Sequence, residues 1–466
     1  MALTVGAVKV LEQRRVCPPL GSVPPAVLHL SYFDVALLSF PVQQLCFFDF
    51  SGSSQDFRDS HFPLLERSLS LALTLFYPLA GRLVPSTNSY PGDHVIRYSD
   101  GDPVSLILAE SDADFARLVH NQAKEAKEFQ LLVPPPLPGF SDDPEGKQGA
   151  PLVAFQVTVF PCFGIAIGLT MNHVVTDGFG RNHFLKSWAS IFKAGGDASV
   201  VKDLPVFDRT LLGDIEHLKQ IHLEQEVARK DRLATCFSES EREEVQLKRV
   251  TRSTFLLTRT HIEKLRYQIS SATASSANTG RRLSTFTVTC AYAWVCLAKS
   301  RDVPKGKTVH FGFPVNCRPR LHPQVPASYF GNCVTIGAIV EVTQAELEGE
   351  NGLVVASEAI HEAVCGLDEG ILKLALPVRR RWRAVQRAEP KERPLLVVGS
   401  PRFRVYEIDF GWNRPRKVEI VSIDHDESMS LAETRDEEGG MEIGMAGPED
   451  EMLRFTSFFE EGLQVL

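Results

Sequence analysis

The hydrophobic pattern of the chain switches repeatedly between two periods. Residues 152–160 and 163–171 are nearly uninterrupted apolar runs parted by little more than Pro161 and Cys162, which predicts two buried strands joined as a hairpin. Residues 62–80 instead carry Leu64, Leu65, Leu69, Leu71, Leu73, Leu75 and Phe76 at helical spacing and stop near Gly81, so a core helix is expected there. The same spacing predicts a helix over 184–192, and another over 285–298 with Ser284 or Thr285 as its N-cap. Helices are also expected from Ser111 or Asp112, after the cap Thr258, through 352–388, and after Pro448 as first helical residue. Short strands are expected near the N-terminus and over 95–98, 104–109, 254–257, 309–315, 395–398, 418–423, 428–432 and 441–445, with Glu438-Gly439-Gly440 turning between the last two. Residues 28–47 read as extended pieces and 270–280 as a mobile surface loop.

This interleaving of strands and helices is an α/β pattern, and 466 residues are enough for two large domains. Gly195-Gly196-Asp197 interrupts the pattern and 204–210 is irregular, so a crossing between domains is expected there. The assigned boundaries are 1–200, a crossover over 201–235, and 236–466. Residues 214–248 are dense in both charge signs and read as a solvated helical surface. Their His217 and His222, five apart, do not stack on one helical face as a metal-binding i, i+4 pair would.

A hydrophobic fraction of 44% with 23% charged residues suits a soluble protein with a substantial core. The formal net charge of -8 argues against a general binder of nucleic acid or anionic membrane. Nine scattered cysteines with no C-x-x-C pair support neither a disulfide framework nor a structural metal site. The first eleven residues lack a basic segment followed by an apolar core, and no run approaches the length of a membrane span. A cytoplasmic monomer is expected.

The second apolar run ends at Asn172-His173-Val174-Val175-Thr176-Asp177-Gly178. A histidine at the mouth of a strand is a candidate general base, since an alcohol attacks an acyl carbon only if its proton is removed as the bond forms. Asp177 either orients that imidazole, as in a hydrolase triad, or bonds elsewhere. No G-x-S-x-G elbow supplies a nucleophilic serine.

Three motifs occur in order: His173-x-x-x-Asp177-Gly178, Tyr329-Phe330-Gly331-Asn332-Cys333 and Asp409-Phe410-Gly411-Trp412. With Leu79 to Leu83, Ser187-Trp188-Ala189 and Asn316-x-Arg318-x-Arg320, they make nearly the whole chain resemble the plant acyl-CoA-dependent acyltransferases of the BAHD family. The resemblance implies two domains like chloramphenicol acetyltransferase, each a mixed sheet flanked by helices, joined by a long crossover. It implies that part of 411–433 joins the first sheet. It makes His173 the base between an acyl-CoA and a hydroxyl acceptor, with no bound cofactor or metal.

The resemblance sets Asp177 in a salt bridge with Arg318 or Arg320, and gives Asp409, Phe410, Gly411 and Trp412 a structural role. Asn413 stands where the family has glycine, and asparagine is the least costly replacement if φ is positive. The second motif, with Ser400-Pro401-Arg402-Phe403, is similar to the branch acting on anthocyanin and other phenolic glucosides, many of whose members use malonyl-CoA. Arg181 then meets the malonyl carboxylate, and Arg282, Ser284 and Asn332 complete the donor-binding set. The rival readings are a hydroxycinnamoyl-CoA donor and a non-catalytic member that only binds CoA or a partner.

Overall fold

The computed structural model describes residues 7–38, 40–86, 90–137, 149–234, 250–272, 283–387, 392–426 and 428–466. Its first sheet has six strands in the order β1 (Val8–Val16), β6 (Val104–Ser111), β9 (Val153–Phe160), β10 (Gly164–Asn172), β3 (Pro41–Asp49) and β15 (Lys417–Ile420). The second has seven: β13 (Val334–Thr343), β12 (Thr308–Asn316), β14 (Leu395–Gly399), β16 (Met429–Glu433), β17 (Met441–Pro448), β11 (Val250–Leu257) and β7 (Lys124–Glu125). A small sheet of β2 (Ala26–His29), β5 (His94–Tyr98), β4 (Arg82–Pro85) and β8 (Ala150–Pro151) lies beside the first. Both large sheets are mixed, with parallel pairs at β6–β9, β12–β14 and β14–β16.

The apolar runs of β9 and β10 follow from burial on both faces. Helices Phe62–Leu75 and Gly178–Lys193 cover one face with Leu69, Leu73, Phe184 and Trp188. The other is closed by Phe115, Leu118, Phe129 and Leu132. Every residue of β9 is buried, so no alternation is left to read. Helices Thr285–Ser300, Gly352–Cys365 and Glu449–Gln464 do the same for the second sheet.

The two large sheets exchange strands. β15, from the C-terminal half, pairs antiparallel with β3, and β7, from the N-terminal half, pairs with β11. Across this seam Arg252 of β11 reaches Glu419 of β15 at 2.7 Å and Asp424 at 2.9 Å, while Lys417 reaches Glu442 at 3.1 Å. All five side chains are nearly solvent-free, so each charge depends on its partners to remain ionised.

Several local expectations are corrected. The extended stretch 28–47 is interrupted by helix Tyr32–Val35, closed by a capping box between Ser31 and Asp34. Ser111 ends a strand, and the next helix starts at Phe115 under the cap Asp114. Strand β15 stops at Ile420, with a short helix Ile423–Asp426 after it. Pro448 is the cap of the last helix rather than its first residue. Helix Glu216–Ala234 is not wholly solvated. Lys219 is buried against Asp93 at 2.8 Å, and His222 packs edge-on to Tyr32 with ring centroids 6.0 Å apart. Burial, aided by Arg379 and Arg383, pushes the His222 pKa down to about 4. Of the stretch 270–280, residues 270–272 end helix Arg259–Ala272 and the rest lies outside the described residues.

Candidate active site

Strand β10 ends at Asn172, and the next peptide is anchored by the His173 N–H donating to the Phe40 carbonyl at 2.9 Å. Four residues on, Asp177 caps helix Gly178–Lys193, accepting from the N–H groups of Phe179 (3.1 Å) and Gly180 (3.3 Å). The turn between them is fixed at both ends. His173 is therefore held by the backbone of a strand and a capped helix rather than by a free loop.

Asp177 does not touch the imidazole. Its carboxylate takes Arg318 Nη1 at 2.6 Å, Arg318 Nη2 at 3.1 Å and the Cys333 N–H at 3.0 Å. Burial alone would raise its pKa, but the Arg318 guanidinium and the N–H donors hold it below the usual carboxylate value. Arg320, the alternative partner, instead donates to the Asn316 carbonyl at 3.1 Å.

The residue that does touch the imidazole is Asn332. Its Nδ2 lies 2.8 Å from the His173 carbonyl, 3.1 Å from the Val174 carbonyl and 3.0 Å from Asp34 Oδ1, all of them acceptors. That fixes which way the amide points: Oδ1 must face His173 Nδ1, 3.0 Å away. Because Oδ1 only accepts, Nδ1 carries the proton, and the lone pair of the neutral ring sits on Nε2. Burial, the larger influence, pulls the His173 pKa below its ordinary value, while the bond to Asn332 works the other way. The ring is neutral near pH 7, with a free Nε2.

Asn332 is thus a departure from the expectation that it binds the donor. It is fully buried, and its side chain is committed to His173, Val174 and Asp34. Asp34 in turn accepts from the Asn332 N–H at 3.0 Å and pairs with Arg209 at 3.2 Å. Arg209 donates to the Phe330 carbonyl at 2.7 Å, and Arg318 to the carbonyls of Tyr329 (2.9 Å) and Gly331 (3.3 Å). Segment 329–333 is clamped by two buried carboxylate and arginine pairs. A Cβ on Gly331 would lie 2.6 Å from the Arg209 guanidinium, so glycine is needed there. Asp34 and Arg209 were not singled out from the sequence. The only signal was the capping box Ser31-x-x-Asp34, which announces a helix start and nothing about a histidine far along the chain.

Arg181, in the first turn of helix Gly178–Lys193, is buried at 5% exposure rather than solvent-facing. Its Nε has no hydrogen-bond partner, and among the described residues no carboxylate lies within ion-pair distance of it. Burial brings its pKa down to about 10, while the nearby Cys46 and Asp177 pull the other way. Ser284 is exposed and caps helix Thr285–Ser300 by accepting from the Thr287 N–H at 3.1 Å. Arg282 lies outside the described residues.

The Asp409 loop sits at the other end of the Gly178–Lys193 helix. Asp409 pairs with Lys193 at 2.5 Å and accepts from the Gly411 N–H at 2.7 Å. Phe410 is edge-on to Trp188 at 5.1 Å, and Trp412 packs on Phe192 at 4.9 Å. Sixteen helical residues part the loop from Asp177, about 24 Å at ~1.5 Å per residue, so it does not reach the reacting atoms. Asn413 has φ +67°, the left-handed conformation that favours glycine or asparagine. Phe403, from the segment before this loop, packs edge-on to Phe179 at 5.0 Å beside the helix start.

A half-buried strand-end histidine, its Nδ1 held by an asparagine, thus stands near a buried arginine that has no carboxylate within ion-pair distance among the described residues. The model of the Transferase family matches residues 7–462. The chain belongs to that family. It is a BAHD acyltransferase that uses acyl-CoA.

Among relatives, the malonyl-coenzyme A:anthocyanin 3-O-glucoside-6''-O-malonyltransferase of Dahlia pinnata is 35% identical, covering 98% of this chain and 97% of its own. Phenolic glucoside malonyltransferase 1 of Arabidopsis thaliana is 36% identical over 98% of each. A coumaroyl-CoA:anthocyanidin 3-O-glucoside-6''-O-coumaroyltransferase of the same plant is 34% identical over 98% and 97%. The fold is that of vinorine synthase, with a TM-score of 0.69 at 20% identity over 96% of each chain. Among the described residues of this Transferase family member no helix is long and apolar enough to cross a membrane, and no group of three His, Cys, Asp or Glu is placed to hold a metal.

Proposed function

We propose that this enzyme moves a malonyl group from malonyl-CoA to a sugar hydroxyl of a phenolic glucoside such as an anthocyanin or flavonoid glucoside, both substrates being bound together. His173 Nε2 takes the hydroxyl proton as the oxygen attacks the thioester carbon. The resulting imidazolium returns that proton to the sulfur as the carbon–sulfur bond breaks, so the products are the malonyl ester and free coenzyme A. Nδ1–H stays bonded to Asn332 throughout. A positioned base of this kind accounts for roughly 10² to 10⁴ in rate.

The observation that carries the choice of donor is Arg181: a buried guanidinium with no anion is costly unless a ligand supplies one, and malonyl does while coumaroyl does not. The malonyl-named relatives support the same reading, and the coumaroyl-named relative supports the alternative. We further assign the exposed N-terminus of helix Thr285–Ser300 at Ser284, with Arg282, to a coenzyme A phosphate, since free helix N–H groups favour anions. In this reading Asp177, Arg318 and the Asp409 loop are structural, the crossover spans 201–235, and the enzyme acts as a cytoplasmic monomer. The free thiols of all eight cysteines among the described residues fit a reducing compartment.

The test is one assay: purified protein with malonyl-, acetyl- and coumaroyl-CoA against phenolic glucosides and their aglycones, with His173→Ala as control. Malonyl-CoA should be preferred and only glucosides acylated. A preference for coumaroyl-CoA, or thiol release that persists in His173→Ala, overturns the reading.

A further inference from the structure

The stretch from Asp34 to Pro41 is tied down at three points. Asp34 Oδ1 accepts from the Asn332 N–H at 3.0 Å, the Ala36 carbonyl accepts from Arg379 Nη2, and the Phe40 carbonyl accepts from the His173 N–H at 2.9 Å. The last of these bonds continues the β3–β10 ladder one residue past its final pair, Pro41 and Asn172. Phe40 therefore stands opposite His173 across two antiparallel strands. The Cα atoms of such a pair are about 5 Å apart, and opposed residues share a face of the sheet.

Apolar burial is incomplete along this stretch. Leu38 packs against the first core, whereas Phe40 is 40% exposed and Pro41 is exposed as well. Among the described residues the only other phenylalanine so exposed is Phe163, in the β9–β10 turn at the end of β10 remote from His173. The bonds to Arg379 and His173 use main-chain carbonyls, so they do not call for phenylalanine at position 40. Neither packing nor backbone geometry accounts for the ring. Held on a pinned segment beside the base and open to solvent, it is a contact surface for an apolar ligand.

The chemistry decides which part of which substrate reaches it. His173 Nε2 takes the proton of the acceptor hydroxyl, so the acceptor oxygen lies within hydrogen-bond reach of the imidazole. One sugar ring beyond that oxygen is the aromatic ring of a phenolic glucoside. The malonyl group is aliphatic, and the adenine of coenzyme A lies at the far end of its pantetheine arm. The aromatic group that comes closest to the base is the aglycone.

We propose that Phe40 is the stacking residue for that aglycone, its ring packing against the aromatic ring of the acceptor and so bringing the sugar hydroxyl to His173 Nε2. The inference rests on the phenolic glucoside acceptor proposed above and adds a residue that selects for it. An apolar ring contact is indifferent to the pattern of ring hydroxyls, so Phe40 selects for an aromatic aglycone rather than for one aglycone in particular.

The experiment compares Phe40→Ala, Phe40→Leu and Phe40→Tyr with the unsubstituted enzyme. It measures KM for one phenolic glucoside at saturating malonyl-CoA, and KM for malonyl-CoA at saturating glucoside. KM does not depend on how much of the enzyme is folded, and leucine keeps apolar bulk without the ring. The glucoside KM should rise roughly tenfold in Phe40→Ala and roughly fivefold in Phe40→Leu, as expected for a lost ring contact, and Phe40→Tyr should restore it. KM for malonyl-CoA and the pH profile of turnover should not move, because every variant keeps the carbonyl that holds His173. A glucoside KM within twofold of the original in Phe40→Leu, or a shift in the malonyl-CoA KM of the same size, overturns the role of Phe40. If the unsubstituted enzyme does not acylate phenolic glucosides, it is the proposed acceptor class that falls.

Discussion

Replacing Asn332 by alanine separates positioning of the base from folding. Three buried acceptors, the carbonyls of His173 and Val174 and Asp34 Oδ1, lose a side-chain donor they now have within 3.1 Å. Asp34 Oδ1 keeps the backbone N–H of residue 332, so about two acceptors are left wanting, each costing about 1–3 kcal/mol, or roughly 3 kcal/mol in all. Thermal unfolding of Asn332→Ala should register that loss. The effect on turnover is of another kind. Without the acceptor at Nδ1 the neutral ring no longer keeps its lone pair on Nε2, and kcat should fall about 100-fold, the lower end of what a positioned base contributes, with KM changing much less.

The pH profile gives a second readout. The Asn332 bond raises the His173 pKa against the stronger effect of burial, so its loss lowers that pKa further, and the acid limb of kcat/KM against pH should move to lower pH. A folded Asn332→Ala enzyme with kcat within threefold of the original and an unmoved acid limb would refute the assignment of Asn332 as the positioning residue.

Asp177→Asn should be strongly destabilising, by about 3–5 kcal/mol in chemical denaturation, because it leaves Arg318 buried without its carboxylate. The folded-state pKa of Asp177 is depressed, so its contribution is full above the ordinary carboxylate pKa and is lost as pH falls through the lower folded value. The variant should show a shallower loss of stability on acidification below about pH 4, and a large change in the His173 pKa seen by NMR would count against its structural role. Gly331→Ala drives a methyl group into the Arg209 guanidinium, so both stability and kcat should drop; unchanged kinetics would show that the clamp on 329–333 is dispensable. Asn413→Gly should be nearly neutral, whereas Asn413→Val should lose about 1–2 kcal/mol, because a β-branched residue resists φ near +67°; equal melting temperatures would contradict this. Phe410→Ala should cost about 3–5 kcal/mol through the cavity left against Trp188, with the preference among acyl donors intact.

Much of this architecture was legible wherever a local pattern reports a local cause. The runs 152–160 and 163–171 gave the hairpin that delivers His173, the leucines of 62–75 gave a core helix, and Asn413 gave a positive φ. His222 and Lys219 misled because a charged helix gives no sign of which polar residues another element will cover. Strand β15, four residues long, reads as a strand, but its own residues do not say that it joins the first sheet rather than the second; only the family resemblance pointed there. The ordered motifs identified the family and, through it, His173. They also paired Asn332 with donor binding, because a motif records which residues recur and not what each one touches.

The sequence by itself determined most of the elements, the family and the candidate for the base, since apolar period, caps, turn residues and short motifs act within a few positions of one another along the chain. Only the tertiary structure decided how that base is held. Asn332 lies 159 residues from His173 and 298 from Asp34, and Arg318 lies 141 from Asp177. The partner of a buried charge or amide is set by which surfaces meet when the two halves close. The cost of leaving such a group unsatisfied selects among those surfaces, and no periodicity encodes the choice.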